Sequence, residues 1–488
     1  MTDPGYSMKV HAPSLEMPDF FASMADMNKA SLVTLHADGI IPSQLAARIG
    51  ATVRDLIERE NLPGSKRSHD YLDFERDLVA RAGPEATRLH VGRSRQDMMS
   101  TGVSLWLRAA QLAVFEDLLP VRQRLLDLAS RHVETVIPTY THGVQAQPTS
   151  AAHYLLAFLA ALDRIGGRIT DAFRRANRSP LGAGAGTTSS FAINRERLAA
   201  LLGFDSIVDN AVDANLVAPI DSTLEFVGIL STLAIVLAQL TQDLHAQFYL
   251  AEPWLTLDPS SRLTGISSMM PQKRNPRVLE LLREHASVIL GSAESMVLLA
   301  HNTSSGMTDV RESVTTVLPL GRVHELLFLY ARTIDAIVID PERSLAEVNR
   351  DYSAMTNLAE YLVQAADVPF RDAHEFASRL TDYGRQNGLR PPQIAYSAAS
   401  RIYQEHAGAS LPLAEAEFTQ AIDPVHIIAT RQGRGGPQRA EVERMLEACT
   451  AQLADHQQWL DSQRAAVAAA KSMLDSAFAR LLPTVPDG

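Results

Sequence analysis

Five stretches of this chain, 102–129, 150–176, 222–250, 277–300 and 316–338, carry apolar residues three and four positions apart. That spacing gathers the apolar side chains on one face of an α-helix. At 1.5 Å per residue, runs of this length make rods of roughly 35–45 Å, so the pattern calls for a helix bundle and not a doubly wound sheet. Alternating strand patterns are scarce. The stretch 222–250 is apolar on more than one side, through Phe226, Val227, Ile229, Leu233, Ile235 and Val236 among others. One neighbouring helix cannot cover it, and burial in an oligomer is expected. Its charge-free part, Phe226 to Gln242, is at the short limit for crossing a bilayer, but Ser231, Thr232, Gln239 and Thr241 interrupt it. A buried core helix is expected there, and no membrane partner.

The 488 residues suffice for three domains. Turn-forming segments at 180–186, 258–276 and Arg434-Gly435-Gly436-Pro437 punctuate the helical runs. The partition read from them is an N-terminal helical domain at 1–105, a central bundle at 106–345 and a C-terminal helical domain at 346–488. A net charge of −11 argues against a nucleic-acid partner, which needs a concentrated basic surface. The single cysteine, Cys449, excludes an intrachain disulfide and a cysteine-rich metal site, as a reducing compartment would have it. The first residues show no basic stretch followed by an apolar one, so a cytoplasmic location is expected. His374-Glu375 is not followed by the second histidine of a zinc helix, and no metal or other cofactor is expected.

Four strings carry chemistry. Thr264 to Pro276, TGISSMMPQKRNP, surrounds a lysine and an asparagine with Ser, Gly and Pro in an otherwise apolar helical chain, the composition of a loop that closes over a ligand. Leu89 to Thr101, LHVGRSRQDMMST, sets two arginines beside a serine, which suits carboxylate recognition by the guanidinium fork; read plainly it is a helix start capped by Ser94 and Asp97. Pro138 to Pro148, PTYTHGVQAQP, places a histidine at a loop-to-helix junction. The glycines of Pro180 to Gly186 match neither the dinucleotide nor the P-loop spacing, so nucleotide binding is not expected.

Together these strings resemble the fumarase/aspartase superfamily, and among its members the argininosuccinate lyases. The first resembles the superfamily signature of paired serines, Met-Pro, Lys and Asn-Pro; the second resembles Gly-Arg-Ser-Arg-Asn-Asp; the third resembles Thr-His-x-Gln-x-Ala-Gln-Pro. The resemblance is strong from about 75 to 320 and continues weakly beyond, where 371–380 looks like the family's small third domain. It implies a mostly α, three-domain fold with a long central helix bundle. It also implies a homotetramer with a twenty-helix core and active sites shared between subunits. The implied reaction is cleavage of an N-substituted aspartate into fumarate and an amine, with no cofactor.

Carried over residue by residue, Ser267 matches the catalytic base, and Lys273 and Asn275 match groups holding a substrate carboxylate. Thr141 and His142 match the pair facing the departing amine, with Glu280 orienting the histidine. Arg93, Ser94, Arg95 and Gln96 match substrate-binding positions. A cation and N–H donors are needed because proton removal from C3 puts a second negative charge on the adjacent carboxylate. A serine hydroxyl is itself a poor base until such donors stabilise its alkoxide.

Departures from the pattern bear on the substrate. Gln96 replaces the usual Asn, Ile266 a Gly, Val144 a Gln, and Gln145 an Arg common in argininosuccinate lyases. His301, Thr308 and Arg311 replace a Tyr, a Gln and a Lys that serve the arginine half. Such a pocket suits an amine bearing its own carboxylate, for instance a diamine-disuccinate. The other readings are an adenylosuccinate-type lyase, an aspartase or fumarase relative, and a catalytically silent structural relative.

Overall fold

The computed structural model describes residues 19–306 and 316–483, with Met17 and Val314. Three helices, α1 (Phe20–Ala37), α2 (Ser43–Glu60) and α3 (Tyr71–Ala82), form an N-terminal layer. The central body follows with α4 (Arg95–Arg131), α5 (Ala151–Ala176), α6 (Ala218–Ala246), α7 (Arg277–Ala300) and α8 (Leu320–Ala336). A small domain holds α9 (Met355–Ala366), α10 (Phe370–Gln386) and α11 (Tyr396–Ala407). The chain ends on α12 (Arg439–Ala479), 41 residues long.

The five apolar stretches all became helices of the bundle. They share one core, in which Phe115, Leu118, Leu162, Phe226, Leu282 and Tyr330 lie fully buried. Each such side chain contributes about 1.5–3 kcal/mol through removal from water. The helix Ala218–Tyr249 is, among the described residues, the one span long and apolar enough to cross a bilayer. In this fold it packs against α5 and α7.

The structure divides the chain differently from the sequence reading in two places. No break occurs near 105, where α4 runs on for 37 residues from its cap at Ser94. The segment 346–488 is two units. The small domain has its own core around Leu358, Phe376, Leu380 and Phe418. By contrast α12 lies along α4, α5 and α1, with Leu460 in the bundle core and Leu474 and Phe478 in the N-terminal one. A seam that long-range packing closes leaves no mark in local sequence.

A buried polar joint helps to fix α12, beside surface ion pairs such as Lys29–Asp475. Arg122 of α4 is buried, pairs with Asp163 of α5, and donates to Nδ1 of His456 on α12 at 2.6 Å. Arginine only donates, so this ring nitrogen accepts and the imidazole is neutral. Burial, and then Arg122, hold the His456 pKa below its ordinary value.

The bundle has two ends, and chain direction sorts the site segments between them. At 1.5 Å per residue α4 spans about 55 Å. Ser94 stands at its start, and a β-hairpin, β1 (Val136–Thr141) and β2 (Val144–Ser150), follows its far end. α5 returns to the first end, and there the glycine-rich loop meets Ser94. α6 climbs again to the second end, where Leu255–Leu257 pairs with Ile337–Ile339 beyond α8. Asp258 N donates to Ala336 O, and Val278 N donates to Leu263 O, so the start of α7 also lies at that second end. His301, after α7, is back near the first.

A methyl group on Gly166 would sit 2.8 Å from His456 Cε1. Gly166→Ala is therefore expected to lower unfolding free energy by about 1–3 kcal/mol through overpacking, despite alanine's better helix propensity. Urea denaturation of the two proteins checks this.

Candidate active site

At the first end, Ser94 is the N-cap of α4 in a reciprocal capping box with Asp97. Ser94 Oγ accepts from Gln96 N at 3.0 Å and donates to Gly184 O at 3.0 Å. The fully buried Asp97 carboxylate accepts from Ser94 N at 2.8 Å, Gly182 N at 2.9 Å and Gly184 N at 3.0 Å. Burial pushes its pKa up to about 6, against the pull of those three donors. Asn215 adds a further donor to Gly184 O at 2.8 Å. The glycine-rich loop thus serves as a brace for the Ser94 turn. Gly184 has φ +60, and a Cβ there would lie 2.7 Å from Thr188 O, so only glycine fits.

The arginines flanking Ser94 differ sharply. Arg95 is exposed and pairs with Asp70 across a surface that solvent reaches. Arg93, expected to bind substrate, is buried. It donates to Asn28 Oδ1 at 2.7 Å and Ser31 Oγ at 2.9 Å, and its guanidinium lies over the Tyr71 ring. Its fork bonds α1 and its plane covers Tyr71 of α3, so within one chain Arg93 anchors the N-terminal layer. Gln96 is half-buried on the first turn of α4.

At the second end, the expected loop 264–276 is a short hairpin. Gly265 pairs with Asn275 and Ile266 with Arg274. Its tip folds around Ser267, whose half-buried Oγ accepts from Met270 N at 3.0 Å and Met269 N at 3.3 Å. Two backbone dipoles therefore already point at the oxygen that would become an alkoxide. Lys273 is exposed and Asn275 half-buried, with Lys273 N bonded to Met270 O. Met269 at the tip is 87 % exposed.

Thr141 and His142 occupy the exposed tip of the other hairpin. Thr141 pairs with Val144, leaving His142-Gly143 as a two-residue turn with φ +53 and +75. Both positive values match the turn type that follows strand twist. A histidine in that conformation is uncommon, and such backbone cost concentrates at functional positions.

Within one chain these groups do not converge. Glu280, expected to orient His142, pairs instead with Arg277 on its own helical turn. Among the described residues, no hydrogen bond or ion pair joins Glu280 to His142 or Ser267 to Ser94. His301 is exposed after the last turn of α7. Thr308 and Arg311 lie outside the described residues. Sequence reasoning missed the binding of the glycine-rich loop by Asp97; the Ser-x-x-Asp spacing gave the cap, but nothing local revealed Gly182 and Gly184 as partners.

Asp97→Asn would set an amide NH2 among three N–H donors. It is expected to cost about 1–3 kcal/mol from unsatisfied buried donors. Thermal denaturation beside the wild type reads this loss.

Similarity to known proteins identifies the family. Residues 66–291 match the family model described as Lyase, and 352–429 match the one described as Argininosuccinate lyase C-terminal. An argininosuccinate lyase of Methanosarcina acetivorans is 30 % identical, over 98 % of this chain and 95 % of its own. Another from Symbiobacterium thermophilum is 34 % identical, over 84 % and 88 %. Among solved structures, EDDS lyase in complex with formate superposes with a TM-score of 0.86 at 25 % identity, over 95 % of this chain and 92 % of that one. The class II fumarase of Schistosoma mansoni shares the fold, with a TM-score of 0.66 at 16 % identity over 84 % and 90 % of the two chains. The chain belongs to the argininosuccinate lyase family of the fumarase/aspartase superfamily and is a fumarate-releasing carbon–nitrogen lyase.

Proposed function

We propose that this enzyme cleaves an N-substituted aspartate by anti elimination with Ser267 as base, at sites built between protomers. The observation that carries the reading is the pair of backbone N–H groups on Ser267 Oγ. They lower the cost of holding that oxygen as an alkoxide. Ser267 takes the C3 proton, the C3–H electron pair becomes the C2=C3 double bond, and the C2–N bond breaks with its pair on nitrogen. Lys273 and Asn275, from the same hairpin, stabilise the carboxylate next to C3 as charge builds on it. His142, beside Thr141, gives the leaving nitrogen its proton. Ser94, Arg95 and Gln96 receive the other end of the succinyl group. Products are fumarate and the free amine.

A homotetramer supplies the missing convergence. Its support is the roughly 55 Å rod between the two ends of one chain and the apolar residues left open on the bundle. Ile235 of α6 and Val288, Val297 and Leu298 of α7 are each at least 40 % exposed. Antiparallel copies meeting along those helices would bring Ser94 of one to Ser267 of another.

The amine half has two readings. Relatives at 30–34 % identity bear the name argininosuccinate lyase, which favours the arginine adduct. The second reading is an amine with its own carboxylate, and it draws on His301, Thr308 and Arg311 in place of the family's arginine-serving residues and on the similarity to EDDS lyase.

Fumarate absorbance during incubation with argininosuccinate and with diamine-disuccinates tests both. Ser267→Ala is expected to lower release by at least about a thousandfold while the assembly elutes unchanged. Release from argininosuccinate alone would remove the second reading, and undiminished release by the variant would remove Ser267 as base.

A further inference from the structure

The hairpin that carries His142 is gripped by the two chain segments that enter and leave the small domain. On the entry side, helix Pro341–Val348 packs against β1; on the exit side, helix Pro424–Ala429 packs against β2. Val136 of β1 forms one buried apolar plug with Val348 and Ile428. Further along the exit segment, His153 Nε2 lies 2.9 Å from Gly435 O while its Nδ1 meets Thr149 Oγ1 at 2.8 Å, tying that segment to the base of β2.

These contacts hold the foot of the hairpin, and one holds its tip. Gln145 Nε2 donates to Val348 O at 2.8 Å and to Ser353 Oγ at 3.2 Å. Val348 and Ser353 are buried in the turn that opens the small domain. Gln145 stands opposite Tyr140, one register step from the Thr141–Val144 pair that closes the turn. With this tether the free tip is residues 141–144. On the β1 side, Tyr140 lies near Trp254, Glu347 and Arg350, while the Thr139 Oγ1 bonds to N and O of Gln147 only join the two strands to each other. Without Gln145, the β2 side of the tip loses its hydrogen bonds to the small-domain turn. The ladder is already irregular between Pro138 and Tyr140, so it offers little stiffness of its own there.

We infer that Gln145 is a positioning residue for proton donation: by bonding its side-chain amide to the Val348–Ser353 turn, it makes the small domain set the place of His142. This rests on His142 being the proton donor. A proton delivered to a leaving nitrogen must travel along a short hydrogen bond, and displacement of the donor by about 1 Å is enough to cost up to a hundredfold in rate. Gln145 itself touches no reacting atom. The small domain, which supplies no other expected site residue, thereby gains a part in the chemistry.

The test compares Gln145→Met, which keeps length and loses the donor, with Gln145→Arg, which keeps donors, in the full-length assembled enzyme. Steady-state fumarate release is measured together with amide hydrogen exchange over 138–147. The methionine variant is expected to lower kcat roughly ten- to hundredfold with KM within about twofold. It should also speed exchange over 138–147 at an unchanged thermal midpoint, while the arginine variant keeps most of the wild-type kcat. The inference is overturned by wild-type kcat and exchange in the methionine variant. It is equally overturned by a rise in KM alone, which would make Gln145 a substrate contact, or by a lowered thermal midpoint with equal loss in both variants, which would make it merely structural. Should the wild type release no fumarate from any adduct, the lyase reading fails by itself, and exchange in the methionine variant still decides whether Gln145 holds the hairpin.

Discussion

The length of α4 governs what one copy of this chain can do. Its 37 residues form a continuous rod, fixed by the Ser94 cap at one end and running into the hairpin of His142 at the other. A rod of that size keeps the Ser94 turn and the Ser267 hairpin on opposite ends of the molecule. Under the proposed function, this rigidity makes the enzyme depend on its own copies, since a substrate touching both ends would have to lie between protomers. The apolar residues left open on α6 and α7 are consistent with that need, because a monomer gains nothing by exposing them.

Around this frame each half of the site is organised locally before any substrate arrives. The Ser267 hydroxyl already receives two N–H groups from its own hairpin tip. At the other end the Asp97 carboxylate gathers three N–H groups, and Ser94 returns a bond to Gly184. In both places the donors are backbone, which needs no rotamer search to act. Preorganised dipoles of this kind stabilise developing charge without reorganisation at the moment of reaction.

Much of this was legible in the sequence, for a physical reason. Helical periodicity is a local property, and four of the five apolar stretches lie within four residues of their expected limits, while the first helix starts seven residues earlier, at the Ser94 cap. The Ser94 cap was legible because caps demand particular residues at fixed offsets, whereas 138–148, read as a loop-to-helix junction, and 264–276, read as a loop, proved to be β-hairpins. What stayed hidden depends on distant partners. Arg93 reads like Arg95 in sequence, yet Asn28 and Ser31 claim the first in the interior and Asp70 pairs with the second at the surface. Gln145 looked like a lost substrate contact, because its acceptors lie some two hundred positions away. The docking of α12 onto the bundle was invisible for the same reason, and so the C-terminal third was read as one domain.

A crystal structure with fumarate bound tests the shared site most directly. The account predicts the diacid between the Ser267 hairpin of one protomer and the Ser94 turn of another, with Lys273 and Asn275 on one of its carboxylates. Fumarate held wholly by residues of a single chain, or lodged away from the 264–276 hairpin, would contradict it.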